Sequence, residues 1–531
     1  MGWEKGKKKL LHELSQMIAE RAEPEAGLLV DALARIFFRS FPAEDLEGTK
    51  VDDMYGFIYG CFNAVQRWPG ELAKVSIFNP DLEKHGWESN HTAVMLVAPD
   101  MPFLLDSVRG ELNRRNTTIH LLHGQNFAVE RAEDGKISAI SAKGDDSQQI
   151  VSLIFFGIDR RSKSEEIAEM TRTLTDILAE VACVVGDFAA MRSKLAEVTA
   201  VVKGGSEVEK AQREEHAAFL EWLDRDHFTL LGYECLGVQY QGDRIEVIDI
   251  PESRLGSLRH RGTSGRFDLA RDLQTAMAEP ELLLEREVTF SKSRLRSRVH
   301  RLAYPEYIEI NQLDESGHVV LQHRFLGLYT SVVYTQSPTL IPIVRLKVAE
   351  VLKRSGLDDS NHEGRELARV LELFPRDELF QAEVDELYRM ANAVNQIQER
   401  RHVRLFARQS AHGKFFNCLV YMPRDRYSTA KRILIQNMLC DTLGTEHSEF
   451  TTFFSESILV RIHFVLLLNP DDPQEYKVSE LEQEIVEITQ SWEDRLRDRL
   501  LEQYGEEQGA GLAECFGDGF PAGYREAFDP R

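Results

Sequence analysis

The spacing of apolar residues changes twice between residues 91 and 131, which predicts a strand, a helix and a second strand. Residues 91–99 (HTAVMLVAP) and 117–130 (TTIHLLHGQNFAVE) have apolar runs of strand length, whereas the leucines and valine of 100–115 (DMPFLLDSVRGELNRR) repeat at helical spacing. Pro102 suits the first turn of this helix, because its missing N–H would be unpaired there anyway. Asp100 precedes it as the expected N-cap.

Two segments of the chain show the same order of predicted elements. In the first, a turn at 133–135 (EDG) predicts a hairpin, and 149–159 (QIVSLIFFGID) and 164–185 predict a further strand and a helix. The order β-α-β-β-α, with room for a closing strand, is that of the ferredoxin-like split βαβ fold. We therefore interpret about 91–185 and 402–470 as versions of one small α/β unit, alike in element order only.

The remaining patterns are either strand-rich or helical. Residues 228–334 are rich in strand-like runs separated by turn signals, which predicts a β-rich domain that is PAS-like in the order of its elements. Helices are predicted at 342–356, 363–374, 376–400 and 478–504. The predicted fold class is therefore α+β and multidomain, with helical segments joining the sheets.

Composition and charge narrow the classes of partner. The chain has 531 residues, which is too long for one core and typical of about three or four domains. Its 87 acidic against 64 basic residues leave a net charge of −23. This argues against nucleic acid and against an anionic membrane surface as partners. We expect a cytoplasmic protein that its charge keeps soluble.

The cysteine positions and the missing sequence motifs mainly exclude certain types of site. The six cysteines are scattered and form no CxxC pair, which favours reduced thiols over a disulfide framework or a zinc site. The sequence has no GxGxxG after a predicted strand, no P-loop, no GxSxG and no HExxH. We therefore predict no catalytic residues and no metal site in this chain.

One loop is a candidate ligand site. Asp100 and Asp106 flank the N-terminus of the helix predicted within 100–115, and Arg109 follows on that helix. A carboxylate there would accept an amino acid's ammonium, while backbone N–H groups would donate to its carboxylate. Asp100, Asp106 and Arg109 are the candidate effector-binding residues. The alternative is structural, with Asp100 as a cap and Asp106 in solvent.

Two other polar groups are interpreted as structural. His120 and His123 are three residues apart on a predicted strand, so they point to opposite faces and make no metal pair. A period of two places four basic residues on one face of a strand predicted at 286–298, and a solvated face is preferred there over an anion site. These residues are Lys292, Arg294, Arg296 and Arg298.

Several stretches resemble the large bacterial NAD-specific glutamate dehydrogenases, in the order expected for that family. They are DMPFLLDSVRGELNRRNTTIHLLHG, FLEWLDRDHFTLLGY, VHRLAYPEYIEI, RFLGLYTSVVYTQSP, FPRDELFQ, QERRHVRLFARQ and CLVYMPRDRYST. The resemblance covers most of the chain from about residue 30 onward. It implies ferredoxin-like ACT-type βαββαβ modules and a PAS-like module, in an N-terminal regulatory portion of chains much longer than this one.

The resemblance also implies a function in amino-acid catabolism. The parent reaction is the NAD-dependent oxidation of L-glutamate to 2-oxoglutarate and ammonium. NAD and the catalytic core would belong to downstream domains, so this segment is expected to be non-catalytic and to bind no cofactor itself. The expected partners are further copies of the chain, the core of the same full-length protein and an allosteric amino-acid effector. A purely structural scaffold without an effector site is the alternative.

On this basis the chain divides into seven predicted segments. They are 1–74, a helical leader; 75–186, a first ACT-like domain; 187–227, a helical connector; 228–340, the PAS-like domain; 341–401, a helical segment; 402–475, a second ACT-like domain; and 476–531, a helix and acidic tail leading to domains beyond this chain. One departure concerns Phe103, which stands where amino-acid-binding ACT loops have glycine. A bulky side chain there would fill the space that a ligand needs.

Overall fold

A computed structural model describes residues 2–46, 48–142, 148–204, 210–241, 244–260, 286–357, 361–397, 400–410, 413–469, 472–517 and 519–530. The sequence also predicts turns at 204–206 and 241–243 and loops at 358–362 and 412–413, and parts of each lie outside these residues. Within them the chain contains both helices and antiparallel sheets, as predicted, and no helix is long and apolar enough to cross a membrane.

Three leader helices cover one face of a first sheet. The helices are α1 (Gly2–Arg21), α2 (Pro24–Arg39) and α3 (Val51–Gln66). The strands are β1 (Lys74–Phe78), β2 (Thr92–Pro99), β3 (Ile119–Arg131), β4 (Ile137–Ser141) and β5 (Gln149–Ile158). Helices α4 (Leu82–His85), α5 (Leu104–Arg114) and α6 (Ser164–Gly186) complete this part. Alternate residues of β2 pack on the leader and on α5 and α6, so both faces are buried.

The closing strand of the first sheet comes before the unit instead of after it. The strand order is β1-β2-β5-β3-β4, with every neighbouring pair antiparallel. After α6 the chain runs directly into α7 (Phe188–Lys203), and β1 occupies the edge beside β2. The predicted hairpin at 133–135 joins β3 to β4.

The second sheet is also antiparallel. Helix α8 (Lys210–Trp222) leads into it, and its strands are β6 (Phe228–Gln241), β7 (Arg244–Asp249), β8 (Leu255–Gly256), β9 (Val288–Lys292), β10 (Glu306–Leu313) and β11 (Val319–Tyr329). The order is β7-β6-β11-β10-β9, with β8 paired to β6. The strand predicted at 286–298 is therefore wrong beyond Lys292, where β9 ends. The basic residues after Lys292 pair with acidic residues in other parts of the molecule. The PAS-like label stays a prediction.

Five helices follow the second sheet. They are α9 (Ser331–Thr335), α10 (Val344–Ser355), α11 (His362–Glu372), α12 (Arg376–Gln381) and α13 (Val384–Ile397). The single helix predicted at 376–400 is wrong, because the backbone is extended at Ala382. The ammonium of Lys347 binds the carbonyl oxygens of Phe380 and Ala382 at 2.6 and 2.9 Å, and this buried cation fixes the break.

The third sheet repeats the arrangement of the first. Its strands β12 (Arg404–Gln409), β13 (Phe415–Pro423), β14 (Ser448–Phe454) and β15 (Leu459–Leu467) lie in the order β12-β13-β15-β14. The edge strand again precedes the unit, so the predicted likeness in element order holds for both. Helices α14 (Thr429–Thr442) and α15 (Val478–Thr489) cover one face.

The chain after the third sheet is helical. The helices are α16 (Trp492–Tyr504), α17 (Glu506–Phe516) and α18 (Ala522–Ala527). One long helix at 478–504 was expected, and this is wrong, because Ser491 starts α16 with a capping box that includes Asp494. One hydrophobic cluster runs from the first sheet through the second to α10–α13 and to the open face of the third, so these parts share a core.

Candidate functional site

The loop before α5 differs in detail from its predicted form. The helix begins at Leu104, and the residue at the N-cap position is Phe103, whose side chain caps nothing. Asp100 is not the cap. Its carboxylate accepts hydrogen bonds from the Asn126 amide at 2.8 Å and the Ser152 hydroxyl at 3.1 Å, and so ties the loop to β3 and β5.

Phe103 adopts a backbone conformation that favours glycine. Its φ of 72° and ψ of −3° lie in the left-handed region, which costs a residue with a side chain about 1–2 kcal/mol. The ring packs against the imidazole of His300, with the centroids 4.9 Å apart. The geometry of a glycine loop is thus present, but an aromatic ring from this chain fills the space beside it.

Asp106 and Arg109 lie together at the start of α5. The carboxylate and the guanidinium are 2.9 Å apart, and both side chains are about half exposed. The second carboxylate oxygen is 3.8 Å from Nδ1 of His300, and the backbone N–H of His300 donates to the Ser107 hydroxyl at 3.0 Å. Burial lowers the pKa of His300. The loop is therefore a contact between the first and second sheets, and effector binding by Asp100, Asp106 and Arg109 stays a prediction.

The basic residues after β9 connect the second sheet to three other parts of the molecule. Arg298 pairs with Glu180 of α6 at 3.0 Å, and Arg296 pairs with Glu449 of β14 at 3.1 Å. The ammonium of Lys292 is buried and contacts both Glu306 and Asp377. The expectation of a solvated strand face is wrong, because each of these three cations has an acidic partner in another element.

The cluster around Lys292 is a buried group of ionisable side chains. Burial raises the pKa of Glu306 to about 7, although Lys292 opposes the shift. Burial alone would lower the pKa of Lys292 and raise that of Asp377. Their mutual attraction, at 2.9 Å, prevails, so the pKa of Lys292 is raised and that of Asp377 is lowered. Lys292 and Asp377 thus remain charged.

Helix α12 lies between the second and third sheets and pairs with both. Asp377 faces Lys292 of the second sheet at 2.9 Å. The next residue, Glu378, makes a bidentate pair with Arg408 of β12 at 2.9 and 3.0 Å. Both acids fall in the FPRDELFQ stretch, one of those that carry the family resemblance.

A cleft that no sequence motif predicted separates the helices from the third sheet. It has a volume of about 880 Å³ and lies between α11 and α13 on one side and the strands β13, β14 and β15 on the other. Arg461, Tyr421 and Phe453 line its sheet side. The available signal was the single arginine in the apolar run LVRIHFVLL. A second cavity, of about 460 Å³, lies between the leader and the first sheet.

The histidines are placed as predicted. His120 lies 2.8 Å from Asp159 at the exposed surface, whereas His123 is buried against the carbonyl oxygen of Phe37 at 2.7 Å. Across the described ranges, no group of histidines, cysteines and acids is arranged to hold a metal ion.

The site also does not fit a dinucleotide. NAD binds at the carboxyl ends of a parallel, doubly wound sheet next to a glycine-rich turn. All strand pairs in the part of the chain that the structure describes are antiparallel. The described sheets are therefore not of the parallel, doubly wound type that binds a dinucleotide.

Sequence models of four glutamate dehydrogenase domains match this chain. They are the ACT1 domain at 33–174, helical motif 1 at 341–400, the ACT2 domain at 404–493 and helical motif 2 at 499–531. The first and third sheets fall within the ACT1 and ACT2 matches, and α12, which carries Asp377 and Glu378, falls within helical motif 1.

Three curated proteins named NAD-specific glutamate dehydrogenase are similar to the chain. The protein of Halomonas elongata is 37% identical over 526 residues, and that of Pseudomonas aeruginosa 40% over 525; each alignment covers 98% of this chain and 32% of the relative. The protein of Mycobacterium tuberculosis is 29% identical over 420 residues, or 76% of this chain and 25% of the relative. The chain thus spans about a third of the length of the first two relatives. By its domains and by this similarity, it belongs to the NAD-specific glutamate dehydrogenase family.

Proposed function

We propose that this chain is the regulatory and assembly portion of an NAD-dependent glutamate dehydrogenase. In this proposal the whole protein oxidises L-glutamate to 2-oxoglutarate and ammonium, with reduction of NAD to NADH, outside the modules described here. The ACT domains would respond to an amino-acid effector and hold copies of the chain together in the cytoplasm. The net charge of −23 favours neither nucleic acid nor an anionic membrane as a partner.

The observation that carries the proposal is the pairing of α12 with two sheets at once. Asp377 and Glu378 are adjacent in sequence and each is bound to a buried cation on a different sheet. A displacement of the third sheet is therefore passed to the second through one short helix. Regulation requires such an element, with two arrangements for which the effector has different affinities. The antiparallel sheets support the non-catalytic part of the proposal.

The first experiment measures activity. The purified chain is incubated with L-glutamate and NAD, and NADH is followed by absorbance, with the Pseudomonas aeruginosa relative as the positive control. We expect no NADH from the chain alone. Glutamate-dependent NADH formation that persists after repurification would overturn the non-catalytic assignment.

The proposed self-association has its own structural support. Strand β14 is an edge of the third sheet, and Phe450 and Phe454 on it are almost half exposed. Edge strands with apolar residues tend to pair with another chain. Light scattering after size exclusion should show a mass above that of one chain, and a monomer at all accessible concentrations would remove this part of the proposal.

A structural scaffold without any effector is the second candidate. It is favoured by Phe103, whose ring packs on His300 at the position where a ligand-binding ACT loop has glycine. Calorimetric titration with amino acids distinguishes the two, since a scaffold gives neither heat nor a change in melting temperature.

A further inference from the structure

We propose that the cleft between helical motif 1 and the third sheet binds a free amino acid, whose carboxylate is held by Arg461. Only the regulatory consequence of this binding rests on the proposed function. The binding site itself is argued from the cleft, and it is distinct from the loop at Asp100.

The sheet side of the cleft is a row of three cross-strand neighbours. Tyr421 of β13 is directly opposite Arg461 of β15, which is directly opposite Phe453 of β14. Directly opposite residues project from the same face. This is the face turned away from α14 and α15, because Val460 and Ile462 on either side of Arg461 pack in the core beneath those helices. The guanidinium lies over the Phe453 ring, 4.8 Å from its centroid.

The guanidinium of Arg461 is only partly paired within the described residues. Nη1 donates to the carbonyl oxygen of Leu373 at the end of α11, which fixes the side chain. Nε is buried and has no hydrogen-bond partner among the described residues. A buried donor left unpaired costs about 1–3 kcal/mol. A carboxylate in the cleft, which Arg461 lines, would be a charged acceptor for this guanidinium.

Tyr421, directly opposite Arg461, adds a second donor. Burial raises the pKa of the Tyr421 hydroxyl, and the neighbouring Arg461 only partly opposes the shift. The hydroxyl therefore stays protonated and able to donate to a bound anion. Two donors on a wall that also carries an aromatic ring resemble the usual composition of a small-molecule site.

Three carboxylates also line the cleft, and they determine the class of anion. Glu363 and Glu366 of α11 and Glu456 of the β14–β15 turn all line it. Arg369 stands between two of them, 4.0 Å from Glu366 and 3.3 Å from Glu456. A phosphate dianion would be repelled by three carboxylates, whereas a molecule with a carboxylate at one end and an ammonium at the other meets a complementary charge at each end. A free amino acid has that pattern.

Binding here would act on the arrangement of the domains. The ligand would contact α11 and β15 at once, and α12 follows α11 after a short turn. A ligand that favours the closed cleft would therefore stabilise the position of α12, in which Asp377 and Glu378 are paired with both sheets. The effector class of the proposed regulatory function would then be a free amino acid bound outside the ACT1 loop.

The test is calorimetric titration of the full chain with each common L-amino acid, inorganic phosphate and acetate as probes. We expect saturable heat with at least one amino acid and none with phosphate. Arg461→Lys keeps the charge but removes the paired donors, and should weaken binding about tenfold or more. Glu366→Gln should weaken binding of the amino acid but not of its analogue lacking the amino group. Arg365→Lys, an exposed arginine of α11 outside the cleft, is the matched control.

Circular dichroism and melting curves establish that each variant is folded. If Arg461→Lys does not fold, Glu366→Gln still tests the site. The proposal is overturned by absence of binding with the whole panel, by phosphate binding in preference to amino acids, or by an affinity that both variants leave unchanged. Amino-acid binding that both variants leave unchanged overturns the cleft site alone, whereas absence of binding with the whole panel also favours the scaffold. Neither result bears on NADH formation, which tests the non-catalytic assignment separately.

Discussion

Replacing Glu378 with glutamine tests whether α12 joins the sheets through charge. The Glu378 side chain is 1% exposed and that of Arg408 is 7% exposed, so the pair is almost dry. Glu378→Gln removes the charge without changing the shape, and leaves a buried guanidinium without its counter-ion. Removing one partner from a buried pair typically lowers the free energy of unfolding by about 3–5 kcal/mol. We expect a loss in that range.

The assay is urea unfolding followed by circular dichroism, combined with hydrogen exchange to localise the change. Exchange should rise first in α12 and β12, since these elements carry the pair. Asp425→Asn is the control, because the Arg401–Asp425 pair, at 3.1 Å, is largely exposed and should contribute no more than about 1 kcal/mol.

A double variant separates loss of the pair from loss of packing. Glu378→Met combined with Arg408→Met replaces both charges with apolar side chains, which in buried pairs is often neutral or stabilising. We therefore expect the double variant to recover most of the loss. Two results would refute the idea that ion pairs join α12 to the sheets. One is a loss of stability in Glu378→Gln as small as that in Asp425→Asn, and the other is a double variant no more stable than Glu378→Gln.

Three further predictions concern single positions. Burial raises the folded pKa of Glu306 from 4.5 to about 7. Between these values the folded state holds a proton that the unfolded state has lost, so stability should fall as the pH rises through this window. Glu306→Gln should flatten that part of the curve in urea unfolding, and an unchanged slope would contradict the assignment. At Phe103, with its φ of 72°, Gly should be more stable than Ala by about 1 kcal/mol in chemical denaturation, and equal stability would mean that no strain exists there. Ser491→Ala should cost about 1 kcal/mol and raise hydrogen exchange in the first turn of α16, whereas unchanged exchange would show that the capping box is dispensable.

Elements whose signals are local could be predicted from the sequence. The apolar run of 91–99 and the glycine at the end of the helix predicted at 342–356 depend on neighbouring residues. Both appear as expected, in β2 and in the left-handed Gly356 that ends α10. The break between α15 and α16 was also readable, since Ser491 and Asp494 have the spacing of a capping box. The continuous acidic and basic pattern of that stretch concealed it.

Elements that depend on distant partners could not be predicted. The basic residues from Lys292 to Arg298 alternate like a strand face, but their partners lie on α6, α12 and β14, far away in the sequence. The break after α12 depends on Lys347, whose ammonium donates hydrogen bonds to two carbonyl oxygens there. The cleft around Arg461 likewise exists only because two separate parts of the chain meet.

Ion pairs between the domains restrict the ways in which these domains can move. A buried ion pair adds little stability compared with apolar residues of the same volume, but an arrangement that separates its partners leaves a charge in an apolar interior. Helix α12 carries two such carboxylates, one facing Lys292 and the other facing Arg408. Separating the second and third sheets is therefore costly, because it breaks at least one of these pairs. Such ion pairs favour two discrete arrangements of the sheets over a continuous range of positions. Two discrete arrangements are the physical requirement for a ligand in the cleft to affect a distant site.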